Sequence, residues 1–208
     1  MTIKLKGSTD GSVSLQAPAD TSPTGSDKTF TLPTADGTAG QVLSTNGSGA
    51  LSFVNALTEV DQWYLTADQT TNAVITNFSR NDHEAATKIG TGMSVSSGVF
   101  TFPSTGKWLI YVGASFVTDQ SDSVVVNTQV TLNGGTSFAT VNIASDGGTN
   151  ASGTPRNGGA SSIYFMDVTD TSQTKVQFTA SSLSNSSQIN GRTENIETGI
   201  VFIRLGDT

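Results

Sequence analysis

The sequence predicts an all-β protein: an N-terminal extended β stem followed by a C-terminal antiparallel jelly-roll sandwich. Three observations predict it. Ser and Thr make up more than a quarter of the 208 residues, alongside 22 Gly, a mixture that suits strands and tight turns and disfavours helices. Apolar and polar residues alternate with period two in short runs, with Gly, Pro, Asn and Asp standing between the runs. No window sustains apolar spacings of three and four. The nearest, NDHEAATKIG (81–90), is short and stops at Gly90, which leaves room for an isolated helical turn and no more.

Residues 1–10 stand apart. Ile3 and Leu5 alternate with Lys4 and Lys6 before GSTDG ends the pattern. Such a segment either frays, as termini do, or adds as a strand to the edge of another protein. The second reading makes Ile3 and Leu5 anchoring residues. From 11 to 60 the apolar positions come in close pairs: Val13 and Leu15, Phe30 and Leu32, Val42 and Leu43, Leu51 and Phe53. These predict short strands, yet so few large side chains cannot bury a core. Order is therefore expected from pairing with copies of the same segment.

The composition shifts at NALTEVD (55–61), which places a domain boundary near 58–62 and a head at 61–208. Strands are expected there at about 63–67, 73–78, 98–102, 107–117, 123–132, 137–143, 162–169, 174–181 and 197–205. SSG, PSTG, NGG, SDGG and SLSNSS supply the turns between them. This many antiparallel strands argues for a sandwich or a jelly roll. WLIYVG, SIYFMDV and GIVFIRL are apolar on consecutive residues, which suits strands covered on both faces. The cover is either neighbouring subunits around a threefold axis or the rest of a large monomer.

Two stretches resemble known families. GSVSLQAP, FTLP-TADGTAGQVLSTNGSG and LSFV resemble the stem unit near the start of many bacteriophage tail-fibre and virion-appendage proteins. That resemblance implies a virion-associated, trimeric, elongated protein. GVFTFPSTGKWLIYVGASF (98–116) and GIVFIRLGD (199–207) are similar to the complement-globular-head and tumour-necrosis-factor-like jelly rolls. Gly98, Phe100, Pro103, Gly106, Trp108, Tyr111, Phe116, Gly199, Phe202 and Leu205 fall on that family's structural positions. The family's last strand lies beside a threefold axis, so a homotrimer is implied. Calcium ligands known in some members cannot be placed, and 118–196 shows no clear match. Read physically, Pro103 and Gly106 make a tight turn, and Trp108 and Tyr111 bring large apolar area to a core short of it.

Charge and composition exclude several classes. With 17 acidic against 10 basic residues the formal net charge is −7, and the basic residues are scattered. Nucleic acid and anionic membrane surfaces are disfavoured as partners. No run of eighteen apolar residues predicts a membrane insertion. Cysteine is absent, so no disulfide or thiolate site exists. The start lacks the apolar core of a secretory signal. A virion part assembled in the host cytoplasm and released by lysis fits these features.

Catalytic signals are sparse. His83, the only histidine, stands in NDHEAA without a nucleophile elbow around any Ser, and reads as a solvated loop residue. Asp119 with Asp122, and Asp167 with Asp170, are the best carboxylate pairs. They suit glycoside cleavage, calcium or plain turn capping. The Gly-rich segment 144–162 lacks the order of a phosphate loop. It reads either as a mobile loop or as a contact surface with Arg156 at its centre.

The expected function is binding without chemistry, with no enzyme activity and no cofactor. A homotrimeric fibre or spike would be held to other virion proteins by its N-terminus and present its head to a host-surface glycan or protein. Contacts are expected from loops at 118–123, 144–161 and 182–192, with Asp119, Gln120, Asp122, Asn150, Arg156, Asn157 and Asn185 as candidate residues. The alternative is a structural capsid or tail decoration without a receptor role.

Overall fold

The computed structural model describes the backbone of Thr2–Lys6 and Ser12–Gln16, then Gly25, 27–151 and 153–208. The chain divides into two compact units, Met1–Ala56 and Leu57–Thr208. All regular structure among the described residues is β, and the expected helical turn at 81–90 is a bend closed by Ala86 N–H donating to the His83 carbonyl at 2.8 Å.

In the first unit β1 (Thr2–Lys6) pairs antiparallel with β2 (Ser12–Gln16), placing Ile3 opposite Leu15 and Leu5 opposite Val13. The side chains of Ile3 and Leu5 lie outside the described residues. A second hairpin joins β3 (Gln41–Thr45) to β4 (Leu51–Asn55). Its turn is held by Asn46, whose Oδ1 accepts from Ser48 N–H at 2.9 Å and Ala50 N–H at 3.2 Å. Short polar side chains favour this local bonding over regular structure. Phe30, Leu32 and Leu43 remain 64%, 71% and 52% exposed. Among the described residues of this unit the paired strands bury no large apolar side chain.

The second unit contains β5 (Val60–Leu65), β6 (Phe78–Arg80), β7 (Ser94–Ser96), β8 (Val99–Thr101), β9 (Gly106–Thr118), β10 (Ser123–Thr131), β11 (Ala139–Gly147), β12 (Arg156–Val168), β13 (Lys175–Ser181), β14 (Gln188–Ile189) and β15 (Gly199–Gly206). One sheet runs β12-β9-β15-β5-β6 with β14 added on β9; the other runs β11-β10-β13-β8-β7. All these pairings are antiparallel, and the chain crosses repeatedly between layers, which makes a jelly-roll sandwich.

Period two explains the core. On β9, Trp108, Ile110, Val112, Ala114 and Phe116 are buried, while the odd-numbered residues face outward. Phe100 of β8 sits at the centre, with ring centroids 5.3 Å from Trp63, 5.4 Å from Phe78, 5.7 Å from Phe178 and 5.3 Å from Phe202. Edge and tilted contacts of this kind add to the area term. The turn before β9 does use its glycine: Gly106 has φ +138°, and a Cβ there would lie 2.4 Å from the Gly206 carbonyl oxygen.

A buried carboxylate fixes the other flank. Asp61, 2% exposed, accepts from Trp63 Nε1 at 2.9 Å, from Met93 N–H at 2.7 Å and from Arg80 Nε at 3.0 Å. Arg80 also stacks 4.7 Å from the Trp63 ring centre. Glu59 holds the same segment by accepting from Thr91 and Gly92 N–H.

Four expectations are corrected. Residues 73–75 form no strand; they lie beside β13 through single bonds, Ile75 N–H to Phe178 and Ala180 N–H to Ala73, and the strand nearby is β6. β7 and β14 were not expected, being only three and two residues long. His83 is half-buried in its loop and not freely solvated: its ring packs 4.8 Å from that of Tyr64. The Gly-rich segment 144–162 is mostly strand, because β11 continues to Gly147 and β12 starts at Arg156. Small residues at 158–160 let the two edge strands approach closely; a Cβ on Gly158 would fall 1.4 Å from Asp146 Oδ2.

Candidate functional site

Strand direction gathers several loops at one end of the head. β5 starts beside Ile203 and ends beside Gly199, so the segments after β5, β9 and β13 and before β12 share the end away from Leu57. There Asp122, 8% exposed, accepts from the Ser184 and Ser187 hydroxyls, from Ser184 N–H at 3.2 Å and from Asn185 Nδ2 at 3.0 Å. The Ser184 hydroxyl, followed by that of Ser187, holds its carboxyl below the ordinary carboxylate range. Asp119 N–H donates to Ser187 Oγ at 2.9 Å, and Asn150 N–H donates to the Gln120 carbonyl at 3.0 Å.

The candidate residues therefore divide. Asp119 and Asp122 are buried and occupied in tying loop 119–122 to loop 182–187. Gln120 and Asn185 sit at positive φ in those loops, and Asn150 lies between β11 and β12. Arg156 and Asn157 belong to β12, paired with Thr118 and Val117 instead of lying in a loop. Arg156 donates to the Gly147 carbonyl at 2.7 Å and pairs with Asp146 at 3.2 Å. Asp167 pairs with Lys107, and Asp170 caps its own turn by accepting from Ser172 N–H and Oγ.

Beside the loops, on the outer side of the first sheet, lies a polar cleft of about 640 Å³. Ser115, Asn157, Gln188, Asn190 and Arg192 line it, with Asp68, Glu194 and Glu197. Of these, sequence reasoning named Asn157 individually and Gln188, Asn190 and Arg192 only as part of the contact loop 182–192. Ser115 is an outward position of β9, and the others are isolated polar residues in turn-rich segments that carry no periodic signal.

Further along the same face the character changes. Register aligns Ile163, Tyr111 and Val201 in one row across β12, β9 and β15, and Phe165, Leu109 and Ile203 in the next. Tyr111 is 38% exposed, Ile163 54%, Phe165 62% and Leu205 51%. Around the open edge between β11 and β12, Leu132, Phe138, Val141, Tyr164, Phe165 and Met166 line an apolar groove of about 580 Å³. The head thus carries two different apolar patches that share Phe165.

The fold is found in solved structures of low sequence similarity. An Eiger tumour-necrosis-factor structure from S. frugiperda is 12% identical over 72% of this chain and 93% of its own, with a TM-score of 0.55. Murine APRIL is 11% identical over 71% of this chain and 98% of its own, with a TM-score of 0.51. No protein-family model and no curated protein matches the sequence. The head is a jelly roll of the tumour-necrosis-factor type, the fold expected from 98–116 and 199–207.

Proposed function

We propose that this chain is a homotrimeric virion fibre or spike of a bacteriophage, attached by its N-terminal segment and binding a host-surface component through its head, without chemistry. The observation that carries the trimer is the pair of unlike apolar patches. A self-complementary patch makes a twofold dimer, whereas two different patches that fit one another make a head-to-tail contact, which closes into a trimeric ring when successive subunits are rotated by a third of a turn. The exposed Phe30, Leu32 and Leu43 of the first unit support the same assembly, because an isolated hairpin is marginal in water. Three tethered copies raise the effective concentration of each hairpin for the others. The phage reading is supported by the stem wording of residues 11–54, and the binding role by the polar, internally braced loops.

Light scattering of the purified chain is expected to give three 21.5 kDa subunits. Particles whose head carries a short turn in place of 148–155 are expected to keep the trimer and adsorb less well. A monomer would overturn the fibre reading, and unchanged adsorption would remove that loop from it.

A further inference from the structure

We propose that the polar cleft beside β9, β12 and β14 is a binding site for a neutral or amine-bearing saccharide; this rests on the binding role proposed for the head. The cleft's 640 Å³ lies within the range of about 300–1,000 Å³ common to ligand sites. Its floor is fixed in advance. Gln188 Nε2 donates to Asp68 Oδ2 at 2.8 Å and to Asn190 Oδ1 at 2.9 Å, and Asn190 Nδ2 donates to Ser115 Oγ at 3.0 Å. Gly191 N–H donates to the other Asp68 oxygen at 2.9 Å. Over this braced floor stand groups with unused capacity. The side chains of Asn157 and Glu194 make no hydrogen bond or ion pair with the described residues, and the Ser115 hydroxyl proton has no acceptor among them.

Carboxamides, carboxylates and a hydroxyl on one concave surface match a ligand that bears several hydroxyls, each both donor and acceptor. The lining is mostly polar, with Val117 the one large apolar side chain, so a lipid or a flat aromatic ligand finds little to bury against. Charge selects further. Arg192, the only cation of the lining, is paired with Glu197 at 2.6 Å, leaving Asp68 and Glu194 uncompensated. On a chain of net charge −7 this disfavours uronates, sialylated or phosphorylated sugars and tolerates or favours an amino group. The cleft begins at Ser115, two outward positions beyond Tyr111 along β9, and so lies past the last apolar row.

The test is an NMR titration of the full-length assembled protein with the methyl glycosides of glucose, galactose, mannose and glucosamine, and with methyl galacturonide, at millimolar concentrations. At least one of the first four should shift the side-chain amide signals of Asn157, Gln188 and Asn190, and the galacturonide should not. Asn157→Ala should weaken that binding by about three- to tenfold, the loss of a hydrogen bond. Glu194→Gln should reduce the discrimination against galacturonide. Shifts confined to other residues, no shift with any of the four, equal binding of galacturonide, or unchanged affinity in Asn157→Ala would each overturn the proposal. Light scattering on the same samples reads the trimer separately, so failure of the assembly and failure of the cleft remain distinguishable.

Discussion

Phe165→Asp is the substitution on which the assembly turns. Phe165 lies on β12 opposite Leu109, lines the edge groove as well as the outer row, and is 62% exposed in the single subunit. Its replacement therefore costs the folded subunit little. In the proposed ring the remaining exposed surface of the ring would be buried, which is worth about 1.5–2 kcal/mol per contact. A carboxylate left unpaired in the same place costs a further ~2–4 kcal/mol. Because a cyclic trimer repeats each contact three times, the total is about 10–18 kcal/mol, roughly a ten-millionfold or greater loss in assembly. Light scattering at micromolar concentration should find the wild type as three subunits and Phe165→Asp as one, with matching circular dichroism. Thr140→Asp, on an exposed β11 position adjacent to groove residue Val141 and pointing the other way, is the control and should remain trimeric. A trimeric Phe165→Asp would refute the assignment of these patches to the subunit contact.

Four further changes probe the head itself. Gly106→Ala forces a side chain into φ +138° and against the Gly206 carbonyl at 2.4 Å, so it should lower the urea-derived stability by about 2–4 kcal/mol. Gly158→Ala meets only the movable Asp146 side chain and the exposed Arg156–Asp146 pair, and should cost about 1 kcal/mol or less in the same assay. Asp61→Ala strands Met93 N–H, the Trp63 indole and the partly exposed Arg80, and should cost about 2–4 kcal/mol, read as a lower urea midpoint. Asp122 has its carboxyl depressed by Ser184 and Ser187, so its stabilisation is complete above the unfolded value near 3.8 and disappears as pH falls below it. Asp122→Asn should therefore be less stable than wild type at neutral pH, with the gap closing in acid melts.

Much of the head was legible because β-strands write their burial in period two. The turn at Pro103–Gly106 and the strand that follows carry Trp108, Phe116 and the alternation between them, and the strand appears at Gly106–Thr118 against an expected 107–117. What failed were elements whose stability comes from elsewhere. β7 and β14 have too few residues to show a period, and they exist because β8 and β9 offer them open hydrogen-bonding groups. The segment 144–162 misled because Gly, Ser and Asn read as loop by local preference. Here the same small residues permit the close approach of β11 and β12, a tertiary demand that overrides propensity.

The two surfaces differ in legibility for a related reason. The apolar rows belong to three continuous strands, and runs such as SIYFMDV and GIVFIRL break the alternation visibly, since a solvated outer face would carry polar residues at 163, 165, 201 and 203. The cleft is assembled from Asp68, Ser115, Asn157 and the 188–197 segment, distant in sequence and individually ordinary in a chain rich in polar turns. Register alone brings them together: Val117 lies opposite both Asn157 and Gln188. Between the regions stand Ser161, Gly113 and Gly199, aligned across the sheet and nearly without side chains. The outward residues of β9 thus pass from Leu109 and Tyr111 through Gly113 to Ser115. One continuous strand supplies an association surface at one end and a hydroxyl-matching surface at the other, so the two can be disabled by separate substitutions within a single sheet.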